Sequence, residues 1–116
     1  EIRLKVLGDR HREVASSYNN IGSALDGQGK QEEAMEMHKK ALEIQLEVLG
    51  NRHQDVAISY SNIGCVLENQ VKYKETMKMF HQALEIPLEV HGNRHQDVAA
   101  LYARIGDVLT NQNQHK

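Results

Sequence analysis

The sequence has little with which to staple a fold, stack on a base or cross a bilayer. Its 116 residues hold no Trp, one Phe and one Cys. A single thiol, Cys65, cannot form an internal disulfide, which suits a reducing compartment and a cytoplasmic location. Charge is nearly balanced, 14 Lys and Arg against 16 Asp and Glu. Without a basic stripe, and with few aromatics to stack, the chain lacks the footprint of a nucleic-acid binder. No apolar run approaches the roughly 20 residues of a membrane span, and no signal-peptide pattern is present, so no membrane partner is expected. The first residue is Glu1 and the periodicity described below starts and stops in mid-unit. The chain therefore reads as a piece of a longer array.

What is present is repetition. Gly50-Asn51-Arg52-His53-Gln54-Asp55-Val56-Ala57 recurs nearly letter for letter as Gly92 to Ala99, and more loosely as Gly8 to Ala15. Ile2, Ile44 and Ile86 keep the same 42-residue spacing, as do Tyr18, Tyr60 and Tyr102. A fixed period of this size signals stacked structural repeats. Gly8, Gly50 and Gly92 each follow an apolar-periodic segment, where glycine can close a helix in the left-handed conformation. An acid then precedes the next apolar run (Glu13, Asp55, Asp97), suited to the positive end of a helix.

In the second unit Val56, Ala57, Tyr60, Ile63, Gly64 and Leu67 fall on one face of an α-helix. Val14 to Leu25 and Val98 to Leu109 repeat the pattern, with the three tyrosine rings expected to be buried. Gly22, Gly64 and Gly106 lie inside these helices at a cost of about 0.5–1 kcal/mol each relative to Ala, which implies a close helix neighbour. After a polar turn, a second helix carries Ala34, Met37, His38, Ala41, Leu42, Leu46 and Leu49 inward. Its successor carries Thr76, Met79, Phe80, Ala83, Leu84, Leu88 and Val90. Ala41 and Ala83 are expected to face the glycine of the preceding helix in a small-to-small contact.

These residues resemble the tetratricopeptide repeat, whose helix–turn–helix signature sets an aromatic before Leu-Gly and later Ala, an aromatic and Ala. Tyr18, Ile21, Gly22, Leu25, Gly29, Ala34 and Ala41 match in the first unit, and Tyr60, Ile63, Gly64, Leu67, Phe80 and Ala83 in the second. Tyr102, Ile105, Gly106 and Leu109 match in the third. The 42-residue period and the phrase Leu-Gly-x-x-His-x-x-Val-Ala are similar to the long-repeat subclass of kinesin light chains and nephrocystin-type proteins. The resemblance implies an all-α solenoid of antiparallel helix pairs in a right-handed superhelix. On that reading residues 1–7 are the tail of a preceding second helix, 12–49 and 54–91 are whole repeats, and 96–112 is a lone first helix ahead of a frayed end. Three residues depart from the pattern. Val71 stands where Gly29 supplies a left-handed turn residue, so that turn should differ or be strained. His38 replaces an aromatic. Pro87 should kink the second helix or end it near Glu85.

The resemblance also implies a protein-interaction scaffold, with first helices lining a concave groove that holds a peptide. Carried over, the groove presents Ser16, Asn19, Asn20, Ser23 and Asp26, then Ile58, Ser61, Asn62, Cys65 and Glu68, then Ala100, Ala103, Arg104, Asp107 and Thr110. Family members use Asn at positions 20 and 62 to bond a peptide backbone, since an amide both donates and accepts. The alternative is that each Asn bonds a neighbouring helix. A different class of function stays open, an assembly module whose uncapped ends stack or exchange helices with other copies. No metal site is expected: His11, His53 and His95 lie one repeat apart, and Gly92 separates His91 from His95. No cofactor motif or catalytic constellation is found, and Cys65 lacks a His partnership.

Overall fold

A computed structural model describes residues 2–91 and 96–114, with side chains described for 10–89, 96 and 98–113. Among these residues the chain is five helices without strands: α1 (Ile2–Gly27), α2 (Gln31–Leu49), α3 (Gln54–Asn69), α4 (Tyr73–His91) and α5 (Gln96–Gln114). α1 pairs with α2 and α3 with α4, α3 packs on α2, and α5 on α4. The result is an all-α solenoid.

Local chemistry explains the breaks between helices. At the end of α1, Gly29 N–H bonds the Asp26 carbonyl and Lys30 N–H bonds that of Leu25, each at 2.9 Å. At the end of α3, Val71 and Lys72 make the same two bonds to Glu68 and Leu67, again at 2.9 Å. This pair of bonds requires a left-handed residue. Gly29 takes φ 82° freely, and Val71 is driven to φ 63°. The turn is therefore unchanged in form, and its misfit is stored as strain in Val71. Gly50, at φ 82°, ends α2, and its N–H bonds the Leu46 carbonyl. His53 then starts α3 as its N-cap, the ring Nδ1 accepting from the Asp55 amide at 3.0 Å.

Several expectations change. α1 runs without interruption from Ile2 through Gly8, so residues 2–7 do not form a separate helix tail. Glycine permits a left-handed exit without imposing it, and remaining helical costs only about 1 kcal/mol. α4 likewise continues through Pro87 to His91 instead of ending near Glu85. There Pro87 is fully buried and Ile86 is 3% exposed, so packing of this turn offsets the lost backbone bond. α5 stays helical to Gln114, two residues past the expected end at 112. The third copy of the Gly-Asn-Arg-His block lies largely outside the described residues, as does the Val90 side chain.

Gly22 and Gly64 do mark close approaches, but to rings instead of alanines. A Cβ on Gly22 would lie 2.8 Å from the His38 ring, and one on Gly64 would lie 2.6 Å from Phe80. Gly106 has no neighbour within 4 Å of that position. Tyr102 is correspondingly exposed, whereas Tyr18 and Tyr60 are half-buried, and Leu46 turns outward.

Two seams hold the stack, and they differ in kind. The seam joining α3, α4 and α5 is apolar: Phe80, Ala83, Leu84, Val98, Leu101, Ile105 and Val108 form one buried cluster. The seam joining α1, α2 and α3 contains four buried polar side chains, Asn19, His38, Gln45 and Ser59. The residues 42 positions later are Ser61, Phe80, Pro87 and Leu101. One repeat thus uses hydrogen bonds where the next largely uses hydrocarbon.

Candidate functional site

The residues assigned to the groove all lie on α1, α3 and α5, and two adjacent depressions open between these helices. The first, of about 180 Å³, is lined by Ser16, Asn19, Asn20 and Ser23 of α1, Gln45 of α2, and Asp55, Ile58 and Asn62 of α3. The second, of about 150 Å³, is lined by Gln54, Ala57, Ile58 and Ser61 of α3 with Ala100, Leu101 and Arg104 of α5. Ile58, 47% exposed, stands between them.

The α1–α3 spacing is fixed at three levels. Near the start of the described side chains, Arg12 Nε donates to Asp55 Oδ2 at 2.7 Å. At the far end, Asn69 Nδ2 donates to both oxygens of Asp26, at 3.2 and 3.1 Å. Between them runs a buried relay. His38 Nδ1 lies 2.9 Å from Asn19 Oδ1, Asn19 Nδ2 donates to Ser59 Oγ at 2.9 Å, and Ser59 Oγ donates to Gln45 Oε1. Asn19 therefore bonds neighbouring helices and is 9% exposed, whereas Asn20 is exposed and Asn62 partly so. Adjacent asparagines thus sit in different surroundings.

The α3–α5 side of the groove is charged. Arg104 Nη1 donates to Cys65 Sγ at 2.7 Å. Burial raises the Cys65 thiol above its ordinary pKa, Arg104 opposes this, and Glu68 and Asp26 add to it. A thiol held protonated is a poor nucleophile. Burial likewise raises Glu68, reinforced by Asp107 and opposed by Arg104 and a hydrogen bond from Asn111. Among the described residues no group of three His, Cys, Asp or Glu side chains could hold a metal ion. His91 and His95 lie outside the described side chains. No helix, among those residues, is long and apolar enough to cross a membrane.

Sequence reasoning missed Gln45, Gln54, Asp55, Ala57 and Leu101 as lining residues. A signal existed for the first: Ala34, His38, Ala41 and Gln45 trace the buried stripe of α2, and two of these four are polar.

The tetratricopeptide repeat model matches residues 14–55 and 56–97. Among solved structures, BtubC (BKLC) from P. vanneervenii is similar, with a TM-score of 0.78 and 21% identity. That match covers 84% of this chain and 39% of that one, so the chain spans well under half of that protein's length. No curated protein sequence matches significantly.

Proposed function

The chain belongs to the tetratricopeptide repeat family, and from that premise we propose a protein-interaction scaffold that holds an extended partner segment against α1, α3 and α5. Tetratricopeptide repeat proteins typically bind protein partners. One observation carries the groove assignment: two adjacent depressions lie between the first helices, and Asn20 and Asn62 face each other across the first of them as lining residues. An amide at each repeat can donate to and accept from a peptide backbone regardless of side-chain sequence. Ser23, Asp26, Ser61, Cys65, Glu68, Arg104 and Asp107 flank that path, and Asn19 braces it from beneath. The working units are residues 12–49, 54–91 and 96–112. The proposal requires no cofactor, metal, nucleic acid, bilayer or chemistry of the chain's own, and the setting is cytoplasmic.

A peptide-array screen, repeated with Asn20→Ala and Asn62→Ala, tests it. Groove ligands should lose at least tenfold in affinity when both amides go; ligands that bind equally well would place recognition elsewhere.

A second reading, self-assembly, is favoured by exposed apolar side chains at both ends of the stack. Val14 and Ile21 on α1 are 45% and 49% exposed, and Tyr102 and Leu109 on α5 are 51% and 47% exposed. Their counterparts Val56 and Ile63 are only 0% and 4% exposed. Light scattering separates the readings: a mass independent of concentration excludes assembly.

A further inference from the structure

The first depression has a floor that comes from neither of its walls. Gln45 reaches it from α2 and is 2% exposed. Its amide is oriented by the relay beneath it. Ser59 Oγ accepts a hydrogen bond from Asn19 Nδ2, so its own O–H is directed at Gln45 Oε1. Asn19, donating to Ser59 through its nitrogen, turns its oxygen to His38 and accepts from Nδ1–H. The hydrogen bonds therefore run one way, from His38 to Asn19 to Ser59 to Gln45. With its oxygen engaged, Gln45 has Nε2 and two protons left; that nitrogen is not sealed from solvent, since among the described residues the sealed side-chain atom without a partner is Gln82 Oε1. A donor on a buried side chain, held in one orientation at the floor of an open depression, is matched by a ligand that brings an acceptor.

We propose that Gln45 is a recognition residue of the groove, its Nε2–H donating to a backbone carbonyl of a protein segment lying in the α1–α3 depression. This rests on the groove reading above and assigns its chemistry. The donor is confined to the first depression. Forty-two residues on, its place is taken by Pro87, which has no side-chain donor, and Leu101 replaces Ser59. The second depression is lined by α3 and α5 alone: Ala57, Ala100 and Leu101 give aliphatic surface, with Gln54, Ser61 and Arg104 around it. A bound segment thus meets an amide donor reaching in from a second helix in the first depression, and none from α4 in the second.

To test this, peptides of ten residues are selected from a random display library on the 116-residue chain. Those weakened at least tenfold by Asn20→Ala with Asn62→Ala are kept as groove ligands. Gln45→Glu preserves an acceptor for Ser59 but turns an oxygen toward the depression, and it should weaken the same peptides tenfold or more. In the unsubstituted chain, the Gln45 side-chain NH2 resonances should shift on saturation. That readout is independent of whether the variant folds, and it decides if the two disagree. Groove ligands that leave those resonances unmoved overturn the assignment of Gln45 and leave the groove intact. Failure to obtain any ligand sensitive to Asn20 and Asn62 overturns both.

Discussion

Val71 pays for a turn that glycine forms freely. A left-handed L-residue costs about 1–2 kcal/mol, and the side chain is 54% exposed, so little packing is at stake. Against this, glycine loses more backbone entropy on folding. Val71→Gly should therefore stabilise the chain by about 0.5–1 kcal/mol in urea denaturation, and no gain would mean that the strain is relieved elsewhere. The sequence showed the misfit because Gly29 supplies the comparison 42 residues earlier. It could not show whether the turn or the residue would yield. His38 carries a second residue-scale consequence. Burial holds its pKa below the ordinary 6.5, with Asp26 pulling it upward. Between the folded value and 6.5 the unfolded chain binds a proton that the folded chain does not. Stability is then complete above about pH 6.5 and declines as pH falls below it. His38→Phe, which copies Phe80, should flatten that decline in urea midpoints taken from about pH 7.5 to 5.5. An unchanged slope would shift the effect to the other histidines. The same residues separate two neighbours in sequence: Asn19 meets Ser59 and His38 inside the stack, whereas Asn20 is exposed on its surface.

Among the elements, helix identity was legible and helix ends were less so. The apolar period, the acid near each start and the glycine turns place α2, α3 and α4 well. Gly8 and Pro87 misled because each states a local preference worth only a few kcal/mol at most, which helix continuity or buried packing can override. The ring-on-glycine contacts were half visible: the glycines required a neighbour, but the period did not say that His38 and Phe80, instead of Ala41 and Ala83, would occupy the space. The relay joining α1, α2 and α3 should behave as a unit. Ser59→Ala leaves Asn19 Nδ2 and Gln45 Oε1 without their partner and should cost about 1–2 kcal/mol. In a Gln45→Met background the same change should cost about 1 kcal/mol less, as measured by a double-mutant cycle in urea. Strict additivity would mean that the bonds contribute independently.

At the scale of the molecule, the chain spans 54 × 34 × 18 Å with a radius of gyration of 14.9 Å. A compact domain of this length would have about 13.4 Å. Elongation follows from stacking, since each helix pair meets only its neighbours. The 42-residue period made this architecture legible, but it also suggested that the seams would be alike, and their side chains show otherwise. Their difference has a consequence in temperature. Apolar burial near 25 °C is driven by water entropy and carries a large heat-capacity change, so it weakens on cooling. The seam of Phe80, Leu84, Val98 and Leu101 depends on that term far more than the seam of Asn19, His38, Gln45 and Ser59. Chilling should therefore loosen α5 before it loosens α1. Amide exchange followed from about 25 °C down to 2 °C should show protection falling faster in α5 than in α1, and a parallel loss would mean that the two seams share one thermal response. A chain assembled from one repeated unit would then open from a chosen end in the cold.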